Sequence, residues 1–452
     1  MHDLGAVVPK LVISPTSENE VMETLRLLKE LKLYKLDSLP ISVKSGGHGY
    51  FNGASCSGIM INLTGMATRK ILDDMLYLGP GCLLAHVIDA LRRNSKAVPH
   101  GDCFGVGAGG HFLTAGWDLI LARRYGLGCQ SVVGGRVVLW DGSVIEVDEN
   151  SEPELFRAMR GGAVAGVGVV TELRLRLIDE PHLVTWQFMS LSLEQLKICV
   201  DHNAFTNAFK LPNDISVSFR LYFEQEKHVE PVCSFNIASL LDIPTTLSYL
   251  KLFLGDEVTS LVSDTSAWHR EPLLNLRMLP ASEFLANNPD MLAEVTPVAL
   301  HEEPEVYWKK TCAQREMASS YFTSISHWVV PECETMLLRL YEAFQSVQNN
   351  TEACKRMYAL VIQGGGCMTQ LAEAENKWSM PLGDALARFE LHWDEGHEEK
   401  WCRGFTSRIS DIIKTREDPA PGRPYRGDIW LEEQAKDPQL DIIQGKYDKR
   451  LV

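Results

Sequence analysis

What this 452-residue chain lacks narrows it first. No apolar run approaches the ~20 residues that span a bilayer, so no membrane-crossing helix is expected. There is no basic excess: 44 Lys and Arg stand against 59 Asp and Glu, a formal net charge of −15. Phosphate neutralisation needs a basic surface, so nucleic acid is excluded as the main partner. The opening stretch MHDLGAVVPK has no basic segment leading into an apolar one. No secretory signal is read there, and a cytoplasmic location is expected. The 11 cysteines are scattered, with no CxxC pair, so neither structural zinc nor any other metal site is expected. Reduced, buried thiols are the expectation instead. No GxxxxGK[ST] occurs, and no GxGxxG opens a helix with an acid ~20 residues on, so neither a P-loop nor a Rossmann nicotinamide site is favoured.

What is present is an ordinary globular composition, 45% hydrophobic and 23% charged, long enough for two or three domains. Residues 10–180 alternate between strands and helices. KLVIS reads as a strand, and Thr16 or Ser17 can cap a helix whose stripe is Val21, Leu25, Leu28 and Leu31. ISVKS, GIMINL and the stretch DMLYLGPG follow, then a helix carrying Leu84, Val87, Ile88 and Leu91. GRVVLW and SVIEV flank Asp141-Gly142, a hairpin signal, and GVVTELRLRLI closes this part.

Beyond residue 180 the period changes to two. In ISVSFRLYF, Ile215, Val217, Phe219 and Leu221 face one way, and Ser216, Ser218, Arg220 and Tyr222 the other. In ALARFELHW, Phe389, Leu391 and Trp393 oppose Arg388, Glu390 and His392. VTWQFMS and CSFNIAS are weaker examples. Amphipathic helical segments lie at 334–347 and 398–414. An antiparallel sheet with helices on its apolar face is expected, in an α+β fold. The polar face then either lines a cavity or faces bulk water; the pattern leaves both open. The domains read as 1–180, 181–415 and a return segment, 416–452, that begins with the loop REDPAPGRPYRG.

Three glycine-rich loops lie in the first domain: SGGHGY at 45–50, GDCFGVGAGGHFLTAG at 101–116 and RGGAVAGVGVVTE at 160–172. Glycine lets main chain approach a ligand, and successive N–H groups form concave anion sites. Three such loops beside strands suit a long, phosphate-bearing cofactor. On residue type alone, His48 either hydrogen-bonds within its turn or reacts, and Cys103 is either an inert small residue or a nucleophile.

The ordered set SGGHGY, GDCFGVGAGGHF, RRYGL and PELFRAMRGG…GVVTELRLRL, with the ending KYD, resembles the berberine-bridge-enzyme-like oxidases of the vanillyl-alcohol-oxidase superfamily. The resemblance spans nearly the whole chain. It implies a two-subdomain PCMH-type FAD-binding domain and a substrate domain whose antiparallel sheet carries helices on one face. It also implies FAD bonded twice, at the 8α-methyl by His48 and at C6 by Cys103. The cofactor-binding residues carried over are Lys44, Ser45, Gly46, Gly47, His48, Gly49 and Ser55 from the first loop. Cys103, Val106, Gly109, Gly110, His111 and Gly116 come from the second, and Gly168, Val169 and Val170 from the third. His111 is read as a structural hydrogen-bonder beside the cofactor. Imidazole and thiolate are the nucleophiles such chemistry needs near neutral pH.

Several positions depart from that pattern. Lys44 stands where arginine is common, and Phe104 where proline follows the cysteine. TAGWD (114–118) replaces a triple glycine, GCQS (128–131) replaces A-x-D-N, and Ala163, Val164 and Ala165 replace glycines. Altered packing around FAD is expected. The family's N-Y-x-D tyrosine has no counterpart in register: PYRGD puts Arg426 there, with Tyr425 one residue away. The ends are shorter than is usual in the family, whose members are often secreted. Base candidates are Tyr425, Tyr222, Glu390 and His392. The expected function is oxidation of a bulky secondary-metabolite intermediate, by hydride transfer to flavin N5 with O2 as acceptor. The alternative is a non-redox, pericyclic cyclase that keeps FAD as scaffold; a ligand-binding protein without turnover is a third reading. The partners expected are a small molecule and O2.

Overall fold

The computed structural model describes residues 7–35, 39–47, 54–101, 106–223, 230–274, 321–329, 334–348, 357–370, 385–413 and 438–450. His48, Gly49, Cys103 and Tyr425, and the whole of REDPAPGRPYRG, lie outside them.

The chain opens with strand β1 (Leu11–Ile13) and helix α1 (Glu18–Glu30). Ser17 caps α1 by accepting the Glu20 N–H at 3.3 Å. Val21, Leu25 and Leu28 are buried as the stripe requires. Leu31 is not: the helix ends at Glu30, so Leu31 becomes the C-cap, 57% exposed. Strands β2 (Ile41–Lys44) and β3 (Ile59–Asn62) complete a parallel sheet in the order β1-β3-β2. Its core is Ile59 and Ile61 against Val21, Leu25 and Trp140.

Next come β4 (Arg69–Leu72), β5 (Met75–Leu78), α2 (Leu84–Arg93), β6 (Lys96–Ala97), α3 (Ala108–Thr114) and α4 (Ala122–Tyr125). They are followed by β7 (Val132–Leu139), β8 (Val144–Asp148), α5 (Pro153–Met159) and β9 (Gly168–Arg176). A five-stranded antiparallel sheet runs β4-β5-β9-β7-β8. The β7–β8 hairpin turns at Asp141-Gly142, where Gly142 takes φ +79° and Asp141 accepts the Ser143 N–H at 2.9 Å. Glu18 of α1 is gripped by Arg136 of β7 and by the Thr171 hydroxyl of β9. Burial alone would raise its pKa; the hydrogen bonds from those two residues and the Arg136 charge outweigh that and hold it below the ordinary carboxylate value.

The second unit begins after β10 (Ile178–Asp179), with β11 (Val184–Leu191), α6 (Leu193–Asp201), α7 (Ala204–Ala208), β12 (Ile215–Phe223), β13 (Pro231–Ser239), α8 (Ile243–Leu254), α9 (Asp256–Ser260) and β14 (His269–Glu271). It continues with β15 (Tyr321–Val329), α10 (Glu334–Gln345), β16 (Met357–Gln363), β17 (Ala385–Trp393) and α11 (Glu399–Ile413). These seven strands form one antiparallel sheet, β14-β11-β13-β12-β16-β17-β15. Val217, Phe219, Leu221, Phe235 and Phe389 pack beneath α6, α10 and α11, as the alternation requires. Burying each such side chain contributes about 1.5–3 kcal/mol. The last described helix, α12 (Pro438–Tyr447), lies back on the first unit, with Ile443 and Tyr447 in that unit's core. No helix among the described residues is long and apolar enough to cross a membrane.

Candidate functional site

Two of the glycine loops meet main chain to main chain. Leu84 N–H donates to the Val106 carbonyl (2.9 Å), and Ala108 N–H to the Cys82 carbonyl (2.7 Å). The 45–47 turn closes over this ribbon. A Cβ on Gly46 would stand 2.5 Å from Gly107 Cα, and one on Gly107 would stand 2.1 Å from the Gly46 N. Only hydrogen fits at either place. Ser45 Oγ donates to the Pro80 carbonyl at 2.5 Å, and a Cβ on Gly109 would press on both groups. The Lys44 side chain folds over Gly47, which takes φ +75°. Gly110, by contrast, is exposed, and a Cβ there would meet nothing within 4 Å. The loops thus form a cradle of backbone with open space beside it and an ammonium at its edge, a shape and charge that suit a dinucleotide with phosphates. On these observations the residues present fit FAD.

The segment leading to Cys103 is pinned. His111 Nε2 accepts the Gly101 N–H at 3.1 Å. His100, fully buried, donates from Nδ1 to the Gly101 carbonyl at 2.6 Å, since a carbonyl only accepts. Its own N–H binds Asp118 Oδ2 at 3.0 Å, while Asp118 Oδ1 accepts the N–H groups of Ile120 and Leu121. His100 and Asp118 are absent from the sequence-derived set. The Asp118 contact spans 18 residues, so no local pattern joins the two.

The remaining residues named from sequence fall elsewhere. Ser55 Oγ donates to the Val7 carbonyl and tethers the N-terminal segment rather than joining the cradle. Gly116, at φ +77°, packs on Gly128 Cα. Gly168 presses against the Val138 carbonyl, while Val169 and Val170 bury their side chains in the two adjoining cores. Just before them, Ala163, Val164, Ala165 and Gly166 take φ +47°, +51°, +54° and +70° in succession, one left-handed turn. Each non-glycine residue there costs roughly 1–2 kcal/mol. Gln444 of α12 donates to the Ala165 carbonyl, and Trp140 Nε1 to that of Gly166. The glycine replacements read from sequence thus sit in a conformation that glycine adopts freely.

The polar face of the seven-stranded sheet carries the other candidate residues. Part of it is withdrawn from water: Ser218, Ser234, Asn236, Ser324, Ser326, Glu390 and His392 are buried, whereas Phe188, Ser190 and Arg220 are exposed. At the near end, Ile362, Leu386 and Trp328 pack against Ala115, Trp117 and Leu127 of the first unit, with Trp117 and Trp328 ring centroids 5.5 Å apart. Arg123 crosses between the units, donating to the carbonyls of Ile215 (2.8 Å) and Leu211 (3.1 Å); burial lowers its pKa to about 10. Gln130, within GCQS, donates to the Met368 carbonyl, and its own carbonyl accepts from Arg160 beside the third loop.

Beyond that contact, β17 lines up Arg388, Glu390 and His392 on one face. Arg388 and Glu390 form an ion pair, and His392 Nε2 lies 3.6 Å from the second Glu390 oxygen. Tyr358 stands opposite Glu390, and Tyr222 opposite Tyr358. Three of the four base candidates are therefore on one wall. Among the described residues, the hydroxyls of Ser324 and Ser326 and the indole N–H of Trp328 are buried there without a hydrogen-bond partner, as polar groups facing a ligand would be. Among the described residues no cluster of three or more His, Cys, Asp or Glu could hold a metal ion.

Comparison with known proteins agrees with this geometry. Residues 9–148 match the FAD binding domain family. Chitooligosaccharide oxidase of Gibberella zeae is 36% identical over 160 residues, 34% of this chain and 32% of that protein. Berberine bridge enzyme-like 23 of Arabidopsis thaliana is 27% identical over 217 residues, 46% of this chain and 40% of its own length. The matched stretches thus span about a third to two fifths of these relatives. The solved structure of Physcomitrella patens BBE-like 1 superposes with a TM-score of 0.74 at 16% identity, covering 97% of this chain and 89% of that one. Residues 9–148 are therefore an FAD-binding domain of that family, in a chain whose relatives include berberine bridge enzyme-like proteins and carbohydrate oxidases and whose fold is that of the berberine bridge enzyme-like structures.

Proposed function

We propose that this chain is an FAD-linked oxidase of a bulky small molecule, which lies between the cofactor and the polar sheet face. The observation that carries the reading is the Arg388–Glu390–His392 row, with Glu390 and His392 buried and Arg388 half-buried, on the sheet face whose near end packs against the FAD-binding domain. In this reading Lys44, Gly46, Gly47, Gly109 and Gly110 hold the cofactor's phosphates, and His48 and Cys103 bond its ring. FAD bound there supplies a two-electron acceptor whose electrons pass on to O2 as hydrogen peroxide.

The residues of the sheet do the rest. Ion pairing with Arg388 favours the charged Glu390 carboxylate, whose oxygen takes the proton from a substrate O–H or N–H as the adjacent C–H hydride leaves. His392 is placed to carry that proton away. Ser324 and Ser326 orient the substrate's polar groups, and the Trp117–Trp328 contact closes the near end against water. Glu390 is preferred to Tyr222 as base because it is buried beside both a cation and an imidazole, whereas Tyr222 lies under the Arg220 guanidinium.

Two measurements test this. The denatured protein should keep FAD mass, with one link surviving in His48→Ala, one in Cys103→Ala and neither in the double variant. Anaerobic addition of a turned-over substrate should bleach the oxidised flavin band. Product without bleaching or oxygen uptake would replace the oxidase with a non-redox cyclase.

A further inference from the structure

We propose that Arg220 selects the substrate and that the substrate carries a carboxylate; this rests on the sheet face being the substrate wall. Arg220 projects from β12 onto that face, between Ser234 of β13 and Leu360 of β16. It is exposed, unlike its buried polar neighbours. Its guanidinium carbon lies 5.4 Å from the Tyr222 ring centroid and 4.9 Å from that of Tyr358. It forms no ion pair among the described residues. Arg388, in the same cross-strand row, is already matched by Glu390. Two arginines on one wall thus differ in a simple way: Arg388 has its anion in Glu390, and Arg220 meets none among the described residues.

Stacking on aromatic faces fixes the guanidinium plane and leaves its N–H edge for hydrogen bonding. That edge matches a planar two-oxygen anion held bidentately. A phosphate would call for more: further cations or a nest of backbone N–H groups. None of the described strand residues on this face is lysine, and the only other arginine there is spent on Glu390. A carboxylate is the anion that one stacked guanidinium serves best.

The sheet also sets a length. Arg220 and Glu390 stand two strands apart and two residues along, about 12 Å between Cα atoms from ordinary strand spacings. An acid held by Arg220 therefore presents to Glu390 a carbon more than one ring away from its carboxylate.

Calorimetric titration of the FAD-loaded protein with naphthoate and biphenylcarboxylate, against the matching neutral amides, tests this. The acids should bind about tenfold tighter or more than the amides, and added salt should weaken the acids alone, because the site is exposed. Arg220→Met should abolish the preference, and Arg220→Lys, which keeps charge without the fork, should retain only part of it. Equal binding of acid and amide, binding of neither, or a preference that survives in Arg220→Met overturns the inference. If Arg220→Met does not fold, the wild-type acid–amide ratio and its salt dependence still decide. The readout is affinity, not turnover. Lost preference with bleaching intact sinks this inference alone; a clear preference in a protein that no substrate bleaches sinks only the oxidase.

Discussion

The glycine cradle and the polar sheet face are made of different material. On the FAD-binding side the contacts are main chain on main chain: Gly46 against Gly107, and Gly109 against Pro80, where no side chain fits. On the sheet side the backbone is a regular ladder, and everything distinctive is a side chain set on it: Arg388, Glu390, His392, Arg220 and two tyrosines. The first kind of wall is a shape and tolerates almost no substitution. The second is a set of chemical groups on a frame that a substitution leaves standing. A fold can therefore keep its backbone cradle while the side chains on its sheet face are rewritten.

The comparison can be broken at several points. The largest effect is expected from Glu390→Gln, which keeps nearly the same volume and can still accept from Arg388. Flavin content and thermal midpoint should stay near wild type, while the anaerobic bleaching rate falls about 10²–10⁴-fold. Bleaching at an unchanged rate would move the base elsewhere. Gly107→Ala should act the opposite way. Its Cβ cannot coexist with the Gly46 N at 2.1 Å, so the loops must part at a cost of about 3 kcal/mol, read as a lower thermal midpoint with lost flavin absorbance. Gly110→Ala, whose Cβ meets nothing, is the control for stability. The smallest effect, and a gain, is expected from Ala163→Gly. It relieves one left-handed residue at φ +47° and should add about 1 kcal/mol. A fall in midpoint instead would show that the turn is not strained.

Much of the frame was legible because period-two and helical patterns are local consequences of burial. Ile215, Val217, Phe219 and Leu221 could only face a core, and Ser216, Ser218, Arg220 and Tyr222 only the other side. Val21, Leu25 and Leu28 announced a helix for the same reason; Leu31 misled because a stripe does not say where its last turn ends. The glycine loops declared close approach without saying to what. The roles of His100, Asp118 and Arg123 were invisible, since each is defined by partners far along the chain. The burial of part of the polar face was equally hidden, because alternation reports two faces and not what covers them.

Sequence alone determined which residues lie on which face of the regular strands and where glycine turns fall, since these follow from local backbone geometry and solvation. Only the tertiary structure decided that two glycine loops interlock, that Arg388 is matched by a carboxylate while Arg220 meets none among the described residues, and that Glu390, His392 and the serines of the polar face named above are buried while Arg220 stays exposed. Those depend on strand order and on the docking of one unit against another, where residues meet that no local pattern relates.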